Sequence, residues 1–319
     1  MAEIARQTAS VTVLSLNPSV DVSYEIPRLL ADQKAHATAT RYDPGGNGIN
    51  VARALKELGL CAHTYGFIAG ESGEFLLRLV KQRLGDDHFF SIQGETRINS
   101  TVLQTKPPCQ YEFSAPGPEV SSEMLEKLCK AFVSAATGYA VLTGSVQPGV
   151  PATIYAELCR KIRGQGGFPV VDAHDNLLRH ALTAHPFLIK PNRYELEMLI
   201  NSKLPSLDDV AREACRLQHS GIDKVCVSLG PEGALIADDH ACYYAMTPAT
   251  PVHCTVGAGD SMLAGLLAAF ANRMSTEEAL RLGIACGSAT AMHPGTELFT
   301  NEEIRSLGKQ ITVKTIRTA

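Results

Sequence analysis

The residues best suited to chemistry lie between Thr255 and Phe270, where the sequence reads TVGAGDSMLAGLLAAF. Gly257, Ala258 and Gly259 carry little or no side chain, so their amide N–H groups can approach a bound anion closely. The apolar run that follows predicts a helix, and the N-terminus of a helix adds partial positive charge at the same place. The stretch therefore predicts an anion-binding turn at a helix start.

Asp260 stands at the junction of this turn and the helix, where a carboxylate beside a bound anion needs a purpose of its own. One purpose is to accept the proton of a hydroxyl group that attacks a phosphoryl group. A second interpretation makes Asp260 the N-cap of the helix, because aspartate is a common capping residue. The stretch taken alone favours neither interpretation.

Two better-known glycine motifs are excluded. A P-loop requires Gly-Lys-Ser or Gly-Lys-Thr, and neither tripeptide occurs in the chain. A dinucleotide fingerprint requires a third Gly or Ala at the position that Met262 occupies. Without a P-loop lysine, a transferred phosphate must be neutralised by the helix N-terminus, a divalent metal ion and basic residues from elsewhere in the chain.

A second glycine cluster, DPGGNGINVARAL at 43–55, places Gly45, Gly46 and Gly48 at the start of a predicted helix that Gly59 ends. These glycines would let a ligand approach the main chain. Asn50, about one turn into the helix, offers both a donor and an acceptor to a sugar hydroxyl. We interpret the segment as part of a site, although a plain loop can also use such glycines.

Polar residues also follow several predicted strands. The run 11–16 predicts a strand that leads to Asp21, which can hold sugar hydroxyls or simply belong to an Asn-Pro-Ser turn. Ser145 follows a strand at 139–143. Asn192 and Glu195 follow a strand at 187–190, and they can reach a hydrated Mg²⁺ or form a helix capping box. The turn at 228–233 is suited to covering a phosphate or a ribose.

Helices and strands alternate along most of the chain, which predicts a parallel sheet covered by helices. The alternation breaks at 97–115, where the pattern predicts a hairpin with one open face, headed by Arg97. Together with 22–42, which contains Lys34, this hairpin predicts a β flap that excludes water or pairs with a second subunit. A surface decoration is the alternative. We expect residues 1–319 to form a single domain with these two lid segments.

Composition excludes several classes of function. The chain has 319 residues, a formal net charge of -4, no Trp and 45% hydrophobic residues. Its net negative charge predicts no electrostatic attraction to nucleic acid or to an anionic membrane. Its nine cysteines are scattered, which favours reduced thiols over disulfides or a zinc site. The first ten residues do not resemble a signal peptide, and the apolar run 262–271 is too short to span a bilayer. We expect a cytoplasmic protein with small-molecule ligands.

With these motifs in order, the chain resembles the PfkB family of carbohydrate kinases over nearly its whole length. The resemblance is carried by PGGNGINVARAL at 44–55, KPNRYEL at 190–196, SLGPEGAL at 228–235 and the 255–270 stretch. It implies a ribokinase-like fold, namely a three-layer α/β/α sandwich with a mostly parallel central sheet and a small β lid. It also implies that the protein uses ATP and Mg²⁺.

The resemblance assigns roles residue by residue. Asp260 corresponds to the catalytic base, and the amides from Gly257 through Ala258 and Gly259 to Asp260 correspond to the anion hole. The residues matching the sugar site are Asp21, Gly45, Gly46, Asn50 and Ser145, with Lys34 and Arg97 approaching the sugar's existing phosphate. The residues matching the nucleotide site are Lys190, Asn192, Ser228, Leu229, Gly230, Pro231, Glu232, Gly233, Thr255, Gly259 and Asp260. Glu195 completes the N-x-x-E element associated with Mg²⁺.

Within the family, NPSVD at 17–21, TRIN at 96–99 and the pair Gly144-Ser145 resemble the branch that phosphorylates ketohexose monophosphates. The expected acceptor is fructose 6-phosphate, with fructose 1-phosphate and tagatose 6-phosphate as alternatives. Asn47 departs from the lysine that many members of the branch have there. His36 stands where the fructose 6-phosphate pattern has arginine.

Two more distant alternatives are a kinase of an unphosphorylated sugar or nucleoside and a non-catalytic sugar-phosphate sensor. Lys34 and Arg97 argue against the first, because an unphosphorylated acceptor needs no such cations. Asp260, Asn192 and Glu195 argue against the second, because a sensor needs neither a base nor a metal-binding element. We also expect a homodimer that forms through the flap.

Overall fold

The computed structural model describes residues 9–85 and 87–316, with the backbone alone for residue 87. The prediction that the first ten residues are not a signal peptide concerns mainly residues 1–8, which lie outside the described residues. Within the described part, the largest element is a ten-stranded sheet. Its strands are β1 (Val11–Ser15), β4 (Ala62–Ala69), β5 (Asp87–Ile92), β8 (Tyr139–Thr143), β9 (Phe168–Asp172), β10 (Leu188–Ile189), β11 (Lys224–Ser228), β12 (Ala234–Ala237), β13 (Cys242–Ala245) and β14 (Lys314–Ile316).

The sheet is mostly parallel, as the alternation of helices and strands predicts. The strands are ordered β14-β13-β12-β11-β10-β9-β8-β1-β4-β5. All neighbours from β5 to β11 pair in parallel, whereas the pairs from β11 to β14 are antiparallel. Because parallel strands end at a common edge, the polar residues after β1, β8, β9 and β10 are brought to one side of the molecule.

Helices cover both faces of this sheet. They are α1 (Asn47–Glu57), α2 (Gly70–Arg83), α3 (Ser122–Ala135), α4 (Ile154–Gly164), α5 (Asp175–Leu182), α6 (Arg193–Ile200), α7 (Leu207–His219), α8 (Ala258–Ala271), α9 (Thr276–Ala291) and α10 (Asn301–Gly308). One apolar core joins the sheet to α3–α7, and a second joins its other face to α1 and α8–α10. This arrangement confirms the predicted three-layer α/β/α sandwich. No helix within the described residues is long and apolar enough to cross a membrane.

Helix α8 is buried along nearly its full length, because it is apolar on all sides and lies between the sheet and α9. The two helices approach closely at a pair of glycines. A Cβ atom added at Gly265 would lie 2.8 Å from Cα of Gly283, so a side chain at position 265 has no room there. The close packing fixes α8 against the sheet and thereby fixes Asp260 in its first turn.

The predicted flap is a separate four-stranded sheet. Its strands are β2 (Ser19–Ile26), β3 (Ala39–Gly45), β6 (Arg97–Thr105) and β7 (Pro108–Phe113), in the order β3-β2-β6-β7. Val20 and Val22 of β2 pack with Ile49 of α1 and with Leu76 and Val80 of α2. Strand β2 begins before the predicted segment 22–42, at the end of the Asn-Pro-Ser sequence, and β3 ends after it. Strands β6 and β7 lie within the predicted segment 97–115.

Two local predictions are wrong. Asp21 lies within strand β2 and not in a turn, since it pairs in register with Asp43 of β3 and Asn99 of β6. The strand predicted at 187–190 has only the two residues of β10. Pro191 directly follows Lys190 and cannot donate a backbone hydrogen bond to a neighbouring strand, which is a reason for this early end.

Candidate active site

The N-cap of helix α8 is Gly257, so the interpretation of Asp260 as the cap is wrong. Gly257 adopts a left-handed conformation with φ of 79°, which glycine reaches without steric cost. Asp260 lies three residues further on, in the first turn. Its Oδ2 accepts a hydrogen bond of 2.9 Å from Nδ2 of Asn50, and its Oδ1 accepts one of 3.0 Å from Nδ2 of Asn47. The carboxylate is therefore held by side chains of another helix.

The second glycine cluster forms the N-terminus of that helix, α1. Gly46 is its N-cap with φ of 95°, and a Cβ atom added there would lie 2.9 Å from Cα of Pro18. Gly48 is equally crowded, because an added Cβ would lie 2.7 Å from Cβ of Ser15. These glycines let the start of α1 lie against the end of β1. The N-termini of α1 and α8 consequently converge on Asp260, where their partial positive charges favour anions.

Burial controls the ionisation of Asp260. The side chain is only 4% exposed, and desolvation, followed by the negative charge of Asp172, raises its pKa to about 6. Hydrogen bonds from Asn50 and Asn47 and the positive charge of Lys190 act in the opposite direction. A carboxyl group with such a pKa is mostly ionised at neutral pH and is a stronger base than an ordinary aspartate.

Lys190 is a buried cation near the glycine turn, in a chain that has no P-loop lysine. It is 5% exposed, and its Nζ lies 3.2 Å from Oδ2 of Asp172. Burial lowers the pKa of Lys190, but the negative charges of Asp172 and then Asp260 outweigh that effect, so the pKa is raised overall. The ammonium group therefore remains charged at neutral pH. Nζ also lies 3.5 Å from the position that a Cβ atom at Gly259 would take. The cation is therefore next to the glycine turn.

A first cavity of about 560 Å³ lies between the flap and the strand ends. Its lining contains many of the predicted site residues: Asp21, Gly46, Asn50, Arg97, Ser145, Asn192, Glu195, Thr255, Gly257 and Asp260. Asp21 is held by hydrogen bonds of 2.7 Å from Ser19 and 3.2 Å from Asn99, and burial raises its pKa. Gly45 does not line this cavity. A Cβ atom at Gly45 would lie 2.1 Å from the Asp21 carboxylate, so this glycine makes room for Asp21.

Of the two predicted phosphate-binding cations, the structure brings only Arg97 to the cavity. Nη2 of Arg97 donates a 2.7 Å hydrogen bond to the backbone oxygen of Asn17, and Nη1 donates one of 3.1 Å to Oγ of Ser114. Its buried Nε has no hydrogen-bond partner within the described residues. Arg97 thus joins the flap to the end of β1 and also presents charge to the cavity. Lys34 is exposed and lines neither this cavity nor the one described next.

A second cavity of about 540 Å³ lies on the other side of the first turn of α8. The predicted residues that line it are Ser228, Gly230, Pro231, Gly233, Thr255, Ala258 and Gly259. Apolar side chains, including Val252, Met262 and Ile284, complete its walls. Thr255 lines both cavities. The two cavities therefore share Thr255 and lie on either side of the glycine turn, and Asp260 lines the first of them.

Five predicted nucleotide-site residues do not line this second cavity: Asn192 and Asp260 line the first cavity, and Lys190, Leu229 and Glu232 line neither. Leu229 is 6% exposed and belongs to the apolar core. Glu232 forms a paired hydrogen bond with Arg193, with distances of 3.1 and 3.0 Å from the two guanidinium nitrogens. The turn at 228–233 thus contributes its glycines, Pro231 and Ser228 to the cavity, while these two side chains hold the turn in place.

Asn192 and Glu195 form the capping box of helix α6, as the alternative interpretation predicted. Oδ1 of Asn192 accepts from the Glu195 backbone at 2.8 Å, and Oε2 of Glu195 accepts from the Asn192 backbone at 2.8 Å. Both residues nevertheless line the first cavity. Burial raises the pKa of Glu195, and its Oε1 is not used by the capping box. The capping box therefore holds the Glu195 carboxylate through Oε2 and leaves Oε1 available to a ligand.

The residues of this site fit a metal ion whose ligands are mostly phosphate oxygens and water molecules. Among residues 9–85 and 87–316, no cluster of three or more His, Cys, Asp or Glu side chains is arranged to hold a metal. Mg²⁺ bound with nucleotides commonly uses only one or two carboxylates, with phosphate oxygens and water completing the shell. Glu195, with one oxygen oriented by its cap, suits that pattern.

Several residues of the first cavity were not selected from the sequence as site residues, among them Asn99, Asp172 and His174. Asp172 is the last residue of β9, so the rule that selects polar residues at strand ends applies to it as well. Asn99 follows Arg97 by two positions in β6, and side chains two apart in a strand share a face. For His174, which precedes helix α5, the sequence gives no comparable signal.

Comparisons with known proteins agree with this geometry. The model of the pfkB family carbohydrate kinase matches residues 11–303. The chain is 34% identical over 300 residues to the ATP-dependent 6-phosphofructokinase isozyme 2 of Escherichia coli, covering 93% of this chain and 97% of that protein. It is 31% identical over 304 residues to the 1-phosphofructokinase of Bacillus subtilis, covering 95% and 99%. The crystal structure of phosphofructokinase-2 from Escherichia coli in complex with potassium superposes with a TM-score of 0.90 at 32% identity, covering 95% of this chain and 99% of that one.

Proposed function

This chain belongs to the pfkB family of carbohydrate kinases, and we propose that it transfers the γ-phosphoryl group of ATP to a hydroxyl group of fructose 6-phosphate. At the coarser level it is a phosphosugar kinase, a phosphotransferase with an alcohol group as acceptor. The observation that supports the reaction best is the position of the two cavities on either side of one glycine turn. A donor in one cavity and an acceptor in the other would face each other beside Asp260.

In the proposed reaction, the acceptor hydroxyl lies in the first cavity, where Asp21, Asn50 and Ser145 offer hydrogen bonds. The hydroxyl oxygen forms a bond to the γ-phosphorus, and the bond from that phosphorus to the bridging oxygen of ADP breaks. Asp260 receives the hydroxyl proton. Since the transition state of phosphoryl transfer is loose, Asp260 serves mainly to orient the nucleophile and to take up the proton.

Charge stabilisation supplies the larger part of the proposed rate acceleration. The backbone amides of Gly257, Gly259 and Asp260 would donate to the transferring group, and Lys190 adds a fixed positive charge beside Gly259. The amide of Ala258, which the resemblance also assigned to the anion hole, is not available for this, because it donates a 3.2 Å hydrogen bond to the backbone oxygen of Thr255. These groups are held in place before the substrate arrives, so they need little reorganisation during the reaction. Such preorganisation is commonly the largest single contribution to catalysis.

The second cavity is the proposed nucleotide site. Its apolar walls suit a purine ring, and the glycines of the 228–233 turn leave the backbone accessible to ribose and phosphate. We propose that Glu195 holds Mg²⁺ through water on the side facing the first cavity. When bound, this ion would neutralise phosphate charge as ADP departs.

A phosphorylated acceptor is proposed because the buried guanidinium of Arg97 lines the acceptor cavity and can pair with the phosphate group that the sugar already carries. Among such acceptors we propose fructose 6-phosphate. The relatives do not separate the ketohexose phosphates, since the identities to the 6-phosphofructokinase and the 1-phosphofructokinase are 34% and 31%. Fructose 1-phosphate and tagatose 6-phosphate are therefore the alternative acceptors.

The test is a coupled assay of ADP release with fructose 6-phosphate, fructose 1-phosphate, tagatose 6-phosphate, free fructose and a nucleoside. Fructose 6-phosphate should give the highest kcat/KM, and omission of Mg²⁺ with excess chelator should abolish turnover. Preference for another phosphorylated ketohexose would retain the kinase and replace the acceptor. Preference for an unphosphorylated acceptor, or binding without turnover, would refute the proposal.

We further propose that residues 1–319 form one domain whose flap mediates a homodimer. The flap exposes Tyr42, Ile98, Tyr111 and Phe113, which are large apolar side chains that a second subunit could cover. Lys34 also projects from the flap region and would reach a sugar phosphate only if such an assembly or a flap movement brought it there. A cytoplasmic location is proposed because ATP is available there and no disulfide joins the cysteines in the described part of the chain.

A further inference from the structure

Asn47 is the first residue of helix α1, three positions before Asn50, so the two side chains lie on the same face of the helix. Both amides donate to Asp260, one to each carboxylate oxygen. Asn50 is buried, whereas Asn47 is exposed toward the first cavity. Both residues line the first cavity, and Asn47 is thus the more exposed of the two donors to Asp260.

The orientation of the Asn47 amide is fixed by its surroundings. A Cβ atom added at Gly144, which follows strand β8, would lie 2.8 Å from Oδ1 of Asn47, so that oxygen is packed against the glycine. Gly144 has φ of 82°, a conformation that disfavours other residues as well. The amide therefore lies between the end of β8 and Asp260, with its nitrogen directed at the carboxylate.

We propose that Asn47 is a positioning residue that holds Oδ1 of Asp260, and so fixes the carboxylate plane for proton transfer from the acceptor hydroxyl. This inference rests on the kinase function proposed above. Nothing in helix formation requires the contact, since the Asn47 side chain bonds outside its own helix. An ionised carboxylate has about four acceptor positions, so two amide donors leave positions free for the incoming hydroxyl.

The charged groups that act on Asp260 are few. Asp172 at the end of β9 adds negative charge, and Lys190 at the end of β10 adds positive charge. The donors from α1 are the neutral amides of Asn47 and Asn50. Because both amides stabilise the ionised carboxylate, removal of one should shift proton binding at Asp260 to higher pH.

The test compares Asn47→Ala with the unchanged protein in two measurements. Loss of the amide should lower kcat at pH 7 about tenfold, as expected for one hydrogen bond to a charged group, and leave the KM for ATP unchanged. The acidic midpoint of the kcat–pH profile should rise by about one pH unit. In parallel, an NMR titration of ¹³C-labelled aspartate carboxyls, assigned with Asp260→Asn, should show the same rise for Asp260 without any turnover.

Asn301→Ala is the matched control, because Asn301 is also the first residue of a helix and is exposed away from both cavities. It should leave the kcat, the profile and the titration unchanged. Asn47→Gln, which retains an amide, should raise the midpoint of the kcat–pH profile less than Asn47→Ala does. If Asn47→Ala does not fold, Asn47→Ser carries the same expectations, because its shorter side chain cannot reach Asp260.

The outcomes separate this inference from the function on which it rests. If the protein without substitutions phosphorylates no sugar phosphate, the proposed function is refuted. The NMR titration still decides the role of Asn47 in that case. Active enzyme in which Asn47→Ala leaves both midpoints unchanged overturns the inference alone. A higher KM for the acceptor with unchanged midpoints would also overturn it, because Asn47 would then bind substrate and not position the base.

Discussion

The side-chain amide of Asn50 donates a 2.9 Å hydrogen bond to Oδ2 of Asp260, although the two residues are 210 positions apart in the chain. The bond joins the starts of α1 and α8, which pack on the same face of the main sheet. It therefore connects the two glycine clusters that the sequence marks as separate sites. The resulting carboxylate is buried, ionisable near pH 6 and lines the first cavity.

The first prediction concerns the proposed base. Asp260→Asn should lower kcat by a factor of about 10² or more, because an amide cannot accept the hydroxyl proton. The fold and the affinity for ATP should be retained, as measured by circular dichroism and calorimetry. Asp208→Asn, an exposed aspartate in the first turn of α7, is the control and should be neutral. Near-normal turnover of Asp260→Asn would remove Asp260 from the mechanism.

The second prediction concerns the pH dependence of turnover. Asp260 must be ionised to accept a proton, and its pKa is raised to about 6 by burial and by Asp172. The kcat should therefore be nearly constant above pH 7 and fall as the pH decreases through about 6. Steady-state measurements from pH 5 to 9 with saturating substrates test this. A kcat that stays constant down to pH 5 would contradict the assignment.

The third prediction concerns stability. The ordinary pKa of Asp260 is 3.8 and the folded-state pKa is about 6, so the folded state binds the proton more tightly than the unfolded state. Ionisation of Asp260 thus costs stability progressively between about pH 4 and pH 6, and the full cost persists above that range. Asp260→Asn should raise the free energy of unfolding at pH 7.5 by about 1–3 kcal/mol relative to the unchanged protein.

The same variant should lose this advantage at pH 4, where Asp260 of the unchanged protein is protonated in the folded state. Denaturant unfolding at the two pH values provides the comparison. A stabilisation of equal size at both pH values would show that the gain comes from packing and not from charge.

The fourth prediction concerns Arg97. Arg97→Ala should raise the KM for fructose 6-phosphate about tenfold or more, with kcat nearly retained and the KM for ATP unchanged. It should also lower the Tm, because it leaves the backbone oxygen of Asn17 without its 2.7 Å hydrogen bond. Arg97→Lys keeps the charge without the planar fork and should give an intermediate KM. An unchanged KM with a lowered Tm would assign Arg97 to the structure of the flap alone.

The fifth prediction concerns the flap. Ile98 and Phe113 lie on one face of the β6–β7 pair and are 49% and 57% exposed. If this face forms the dimer, Ile98→Glu combined with Phe113→Glu should yield a monomer in light scattering at micromolar concentration. Met274→Glu, which changes an exposed apolar residue between α8 and α9, is the control and should remain dimeric. If the protein without substitutions is already monomeric and fully active, the prediction is refuted.

The sequence alone determined the architecture and the parts of the site that depend on backbone geometry. Alternating helices and strands specify a parallel sheet covered on both faces, because each element must bury its apolar side. The glycine turns before α1 and α8 were also predictable. A close approach to the backbone or a positive φ selects glycine, and the value of 79° at Gly257 is such a case.

Only the tertiary structure decided what each polar side chain does. The sequence left Asp260 divided between cap and base, and its partners Asn47 and Asn50 come from a helix that local pattern cannot connect to it. Glu195 caps helix α6 and also lines the first cavity, Gly45 makes room for Asp21, and Lys190 is paired with Asp172. Such roles depend on contacts between distant segments and on burial, and a local sequence pattern contains neither of them.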